Sequence, residues 1–389
     1  MKRNCINGIL YGVLLVCFLC MASISGFAEK DNDDVIIGKY RVLHSDILKE
    51  DRTILVFLPA GYKDSQEKYP VVYSISGDTQ HFSAAASTLS RQSDLGKAPA
   101  MIYIDIVDFN QLRDLFPVAL PGRPKSGYAA NFRAFITKEL IPFVDTNYRT
   151  ENFRILMGES NAGLFATDFF LSQPETFNAY ITSSPMLGWC YDYIAKKTGE
   201  LFNKNKDLKK SLFIIYATDD YNQVTDTLPK YAEILKTQAP SGLHWEIKPI
   251  ENGDHVPYTG LYDGLNFIFP NWDFPRDLYE KEGISALENY YGKLSKKYGF
   301  AVKIPEEVMT DIGFKQLTRK KDWKSALEVF ELLVKHYPNS FRAHYLLGAA
   351  YQEGNMKEDA VKQFKKVLEL NPDFSRASDR LKQLTEKKD

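Results

Sequence analysis

The sequence predicts an α/β fold with a mixed, mostly parallel sheet, followed by a small all-α domain. Three observations lead there. Between residues 35 and 270, short β-branched or aromatic runs bounded by Gly, Pro, Asp or Ser alternate with amphipathic stretches. The first two runs follow each other with no helix between them, which predicts an antiparallel pair at the start of the sheet. Beyond residue 303 the chain is helical and charge-rich, with a 34-residue period.

The first 28 residues stand apart. Lys2 and Arg3 precede the apolar run GILYGVLLVCFLCMASI, and Gly26-Phe27-Ala28 puts small residues at the −3 and −1 positions. The pattern predicts a secretory signal peptide cleaved after Ala28, hence a secreted or periplasmic protein with no membrane attachment after cleavage. An uncleaved anchor is the alternative reading of the same run. Without the leader, 47 basic and 50 acidic residues remain, a near-neutral balance that argues against nucleic acid or anionic lipid as partner. Cys5, Cys17 and Cys20 leave with the leader, so Cys190 has no thiol to pair with. It reads as a small buried apolar residue. No Cys/His cluster has metal-ligand spacing and no Gly-rich phosphate loop is present, so neither metal nor cofactor is expected.

VIIGKYRVLHS and RTILVFLPA form the expected opening pair. VVYSISG, MIYIDIV, FRILMGE, AYITSSP, LFIIYAT and HWEIKPI follow as strands of a sheet covered on both faces, because they are continuous apolar runs rather than alternating ones. ANFRAFITKELIPFVDTNY and VTDTLPKYAEILKTQ are two of the intervening helices. The α/β domain is expected over 29–272. NWDFPRDL breaks the pattern and opens a helical linker over 273–302. In the domain expected over 303–389, Ala326, Phe330 and Pro338 recur as Ala360, Phe364 and Pro372. Tyr345, Gly348 and Tyr351 supply a first-helix signature, which Gly313, Phe314 and Leu317 echo in degenerate form. This is the tetratricopeptide pattern, closed by a polar capping helix in SRASDRLKQLTEKKD.

The chemistry centres on LMGESNAGLFA. Ser160 falls where a strand ends and a helix begins, the junction of a nucleophile elbow in an α/β-hydrolase. Close approach of strand and helix requires small neighbours, met by Gly158 at −2 and, with one extra methyl, by Ala162 at +2. A serine hydroxyl needs a base, and this fold orders its residues Ser, then acid, then His. Of the four later histidines, His336 and His344 lie in the repeats and His244 lies within a strand. His255, in the loop ENGDHVPY, is the expected base. Asp220, just after LFIIYAT, is the expected acid, with Asp219 as the alternative. Two backbone donors for an oxyanion are expected from Asn161 and from the Gly77-Asp78 loop.

These residues resemble the esterase family of α/β-hydrolases that includes enterochelin esterases and esterase D. The likeness spans roughly residues 35 to 270. It is carried by YPVVYSISGDTQHF, NQLRDLFP, the stretch from Ser126 to Ala166, PETFNAYITSSPMLGW and ENGDHVPYTGLYDGLNFIF. It implies Ser160 as nucleophile, His255 as base, and Gly77-Asp78 with Asn161 around the oxyanion. The family commonly has Asp where Ser76 stands, His where Glu159 stands and Gly where Ala162 stands, so the triad is kept while substrate preference is open. Its activities imply a serine carboxylic-ester hydrolase acting through an acyl-enzyme on a small, siderophore-linked or carbohydrate-linked ester. A polyanionic siderophore would need cations, for which Arg113, Arg123 and Lys125 are the candidates. Acyl transfer to an alcohol would use the same triad. A catalytically silent scaffold, with the repeats serving protein contact or self-association, is the remaining alternative.

Overall fold

The computed structural model describes residues 35–386, so the signal peptide expected over 1–28 lies outside the described residues. An eight-stranded sheet has the order β1-β2-β4-β3-β5-β6-β7-β8. The opening pair, β1 (Lys39–Ser45) and β2 (Glu50–Phe57), is antiparallel, with Lys39 opposite Val56. β2 also runs antiparallel to β4 (Ile102–Ile106). From there β3 (Tyr69–Ile75), β5 (Thr150–Glu159), β6 (Ala179–Ser183), β7 (Ser211–Ala217) and β8 (His244–Ile250) continue in parallel. All eight sequence-expected strands form.

Every residue of β3, β4 and β6 is buried, the outcome expected of strands covered on both faces. Side chains alternate between the two cores with period 2. Val71, Tyr73, Ile104 and Leu156 enter one, while Val72, Tyr103, Ile155 and Met157 enter the other. Helix α1 (Thr79–Asp94) lies on the second face. α2 (Gln111–Leu115) follows β4. α3 (Ala129–Phe135) and α4 (Ile141–Asn147), joined by a single π-turn, cover the first face with α5 (Ser160–Ser172) and α6 (Tyr191–Lys204). α7 (Asn222–Thr225) and α8 (Leu228–Gln238) precede β8, and α9 (Gly260–Ile268) returns to the second face.

The chain moves from β3 to β4 on one side and returns to place β5 on the other. Such a reversal opens a crevice at the carboxyl ends of the strands, where open α/β sheets bind ligands. Ser160 stands at the end of β5, beside that reversal.

The helical part does not hang from the sheet by a tether. α10 (Arg276–Glu282) and α11 (Ser285–Tyr298), the stretch expected as a linker, are buried in the same core as β5 and α9. Phe153 of β5 packs against Phe269, Tyr298 and Phe300 at 5.6–5.8 Å between ring centres. The core then continues into α12 (Glu306–Lys315), α13 (Trp323–His336) and α14 (Phe341–Glu353), with α15 (Lys357–Leu370) and α16 (Ser375–Thr385) completing the array. The repeat has a packing cause. A Cβ on Gly313 would meet the Phe330 ring at 2.3 Å, and one on Gly348 would meet the Phe364 ring at 2.8 Å. Each glycine lets a first helix close onto the phenylalanine of its second. Among the described residues, no helix is long and apolar enough to cross a membrane.

Candidate active site

The elbow is built from its small residues. A Cβ on Gly158 would sit 2.2 Å from the Ala162 carbonyl oxygen, so only glycine fits at −2. Ala162 is tolerated because its own side chain enters the first core. Ser160 takes φ +53°, a left-handed conformation that costs a non-glycine residue on the order of 1–2 kcal/mol and lifts its hydroxyl clear of strand and helix.

His255 Nε2 lies 3.0 Å from Ser160 Oγ, and His255 Nδ1 lies 2.6 Å from Asp220 Oδ1. The same Asp220 oxygen accepts the Tyr221 N–H at 2.7 Å. The Asp220 side chain is fully buried and that of His255 is 29% exposed, so the acid is shielded while the base opens to the mouth. Asp220 rather than Asp219, the alternative acid, is the carboxylate bonded to His255, and both line a cavity of about 420 Å³ with Tyr221, Asn222, Gln223 and His255. Tyr221 packs edge-on against the His255 ring at 4.8 Å and is 59% exposed. Sequence reasoning passed over Tyr221. Its position next to the expected acid was the available signal.

The Gly77-Asp78 loop follows β3 with Gly77 at φ +82°. Asp78 caps α1, accepting the N–H groups of Gln80 and His81 at 2.8 Å. Asn161 occupies the first turn of α5, where the backbone N–H has no intrahelical acceptor. Ser76 is tied to β4, its N–H donating to Asp105 Oδ1 at 3.0 Å and its hydroxyl to Asp105 Oδ2. His81 bridges Asp78, at 2.6 Å, and Glu159, at 3.4 Å. Asp105 and His81 thus join Ser76, Asp78 and Glu159 in one polar network beside the elbow.

These groups titrate abnormally. Burial pushes Asp105 up to about 6, against the pull of its Ser76 bonds. Burial also raises Glu159, partly offset by His81 and His255. For His81 burial acts downward, but the Asp78 hydrogen bond and the Glu159, Asp78 and Asp105 charges outweigh it, so the net shift is up. A carboxyl raised from 3.8 to about 6 contributes stability that is complete below 3.8 and lost as pH rises through 6. Asp105→Asn should abolish that loss. Relative to the parent, its stability should improve by on the order of 2–3 kcal/mol between pH 4 and pH 7, on top of any pH-independent offset. Denaturant titrations at the two pH values check this, and parallel pH dependences would reject it.

Other expected residues fall elsewhere. The proposed ligand role of Arg113 is corrected by its surroundings: all three guanidinium nitrogens donate to Glu50 and Asp114, in an ion cluster with Arg52. Arg123 lies over the Trp189 ring at 5.8 Å, and Lys125 is exposed in the same loop. His244 stacks on Phe267 at 4.0 Å, away from the site. Cys190 is buried, which pushes its thiol up to about 11.

Comparison with known proteins adds the chemistry. The family model "Putative esterase" matches residues 45–227. The α/β unit is an esterase of this family. Tetratricopeptide models match 314–340 and 341–374 in the helical part. The esterase is 25% identical over 240 residues to the ferri-bacillibactin esterase of Bacillus subtilis, covering 53% of this chain and 81% of that one. It is 27% identical to an IroE-like serine hydrolase from Shewanella oneidensis, with a TM-score of 0.65 over 77% of this chain and 99% of the other. An uncharacterised protein from Capnocytophaga ochracea shares the fold at 17% identity and TM-score 0.60, over 89% of this chain and 99% of its own. That coverage takes the likeness of fold well into the helical extension.

Proposed function

We propose that this esterase hydrolyses a small-molecule carboxylic ester through an acyl-enzyme on Ser160. The observation that carries the reading is the unbroken hydrogen-bonded chain from Ser160 Oγ through His255 to buried Asp220. Asp220 accepts the hydrogen bond of the Nδ1–H and so fixes the tautomer in which Nε2 can accept the serine proton. The oxygen attacks the acyl carbon, and the N–H of Asn161 with the Gly77-Asp78 loop receives the developing negative charge. His255 then protonates the leaving alcohol. It next deprotonates a water, which releases the acid and frees the serine. The exposed face of His255 gives water a way in, which supports hydrolysis over acyl transfer.

The name of the ferri-bacillibactin esterase supports a siderophore-linked ester as substrate class, and a carbohydrate-linked ester is the alternative that the sequence resemblance leaves open. Tyr221 and Trp189 offer exposed aromatic faces for either. The leader-like first 28 residues support a secreted or periplasmic location. The repeats share a core with the α/β unit, which supports a bracing role over an independent array.

A fluorophosphonate probe should label the protein with one equivalent, located by mass spectrometry on Ser160. A folded protein that stays unlabelled would overturn the reading in favour of a silent scaffold.

A further inference from the structure

Left-handed backbone at non-glycine residues near the site includes Ser160 at φ +53°, Ser184 at φ +45° and Val256 at φ +64°, with Asn252 at φ +51° earlier in the histidine loop. Ser160 is explained by the elbow. Val256 is the least expected, because a β-branched side chain is a true outlier in that region. It directly follows His255. Such strain persists only where the surroundings over-determine it.

The surroundings are the segment just after β6. Ser184 is fully buried, and its N–H donates to the Ile215 carbonyl at 2.7 Å, anchoring it to β7. Its Oγ accepts the N–H of Val256 at 3.2 Å. Two residues on, the Met186 N–H donates to the carbonyl of Ser160 at 3.2 Å. Between them, Pro185 lies against Gly163 of α5, where a Cβ would approach its Cα to 3.0 Å. One short segment therefore grips the nucleophile's own backbone on one side and the histidine loop on the other. The loop's far end also comes close to this segment, since a Cβ on Gly260 would meet Ser183 Oγ at 3.2 Å.

We infer that Ser184 is a positioning residue for the ester-cleaving reaction. Its hydroxyl latches Val256 in the left-handed conformation and so sets the 3.0 Å separation between His255 Nε2 and Ser160 Oγ. The inference rests on the triad reading above. Without the latch, Val256 relaxes toward extended backbone, which the following Pro257 also favours. The imidazole then swings off the line between Asp220 and Ser160. Substrate binding sites elsewhere in the crevice are unaffected, so the loss falls on turnover.

The test separates backbone from hydroxyl. Ser184→Gly keeps the positive φ at no cost but removes the acceptor. Its kcat for a short p-nitrophenyl ester should fall about 10- to 100-fold, the scale of a misplacement of about 1 Å, with KM within about twofold. Adding Val256→Gly, which removes the penalty the latch overcomes, should restore at least about fivefold of that loss. General loosening of the loop would instead make the double variant worse. Retained kcat in Ser184→Gly, or a double variant no better than the single one, overturns the latch. Should Ser184→Gly fail to fold, Ser184→Ala, which also removes the acceptor, is read with and without Val256→Gly: a recovery of kcat of at least about fivefold on adding Val256→Gly upholds the latch, and no recovery overturns it. Ser160→Ala in parallel keeps the failures distinct. If that variant remains active the triad reading falls, whereas an inactive Ser160→Ala beside a fully active Ser184→Gly sinks the latch alone.

Discussion

Ser160→Ala should lower kcat on a short p-nitrophenyl ester by about 10⁴- to 10⁶-fold while the circular dichroism spectrum and melting temperature stay near those of the parent. The size follows from the proposed route. Without Oγ there is no acyl-enzyme, and only binding and the oxyanion donors remain to act on attack by water. His255→Ala should cost a similar factor, and the two together little more, because members of one relay fail as a unit. Asp220→Asn should cost about 10⁴-fold, since its amide nitrogen turned toward Nδ1 would favour the wrong imidazole tautomer. Asp219→Asn is the internal control. His255 is bonded to Asp220 and not to Asp219, so kcat should change by no more than about twofold. An Asp219 variant impaired more than the Asp220 variant would reassign the acid, and an active Ser160→Ala would remove the mechanism.

How much of this could be read from the chain depends on the range of the interaction. The strands were legible because complete burial leaves continuous apolar runs, as in VVYSISG and MIYIDIV. The elbow was legible because Gly158 answers a contact only four residues away, with the Ala162 carbonyl. The choice between Asp219 and Asp220 was harder. Both follow β7, and one turn residue decides which side chain points inward. What stayed illegible was long-range. Nothing in the serines of AYITSSP says that one of them holds a loop 72 residues further on. Arg113 misled for the same reason. A lone arginine in a loop looks available until Glu50, distant in sequence, is brought beside it by the fold. The stretch 273–302 read as a linker because its helices are charge-rich outside. Its inward Tyr298 acquires meaning only against Phe153 and Phe269.

That packing sets the second large effect. A chain ending at residue 272 should fail to form a stable fold, although it retains the eight strands and all three members of the proposed triad. Removing the extension uncovers Phe153, Phe269 and Trp272, which are 8%, 1% and 4% exposed in the full chain. Each large apolar side chain returned to water costs about 1.5–3 kcal/mol. Three of them reach roughly half or more of the 5–15 kcal/mol that holds a domain together. The Tyr298 hydroxyl also donates to the Ile268 carbonyl at 3.0 Å, so the end of α9 loses a partner as well. α9 follows directly on the His255 loop, and its loosening would reach the site. The shortened protein should therefore aggregate or bind a hydrophobic dye and show no hydrolysis. In the full chain, Tyr298→Ala should cost about 3–5 kcal/mol, the scale of an emptied aromatic site. Chemical denaturation of both proteins measures this. A soluble, cooperatively melting, active fragment ending at residue 272 would mean that the repeats are separable, and it would return them to the role of an independent binding module.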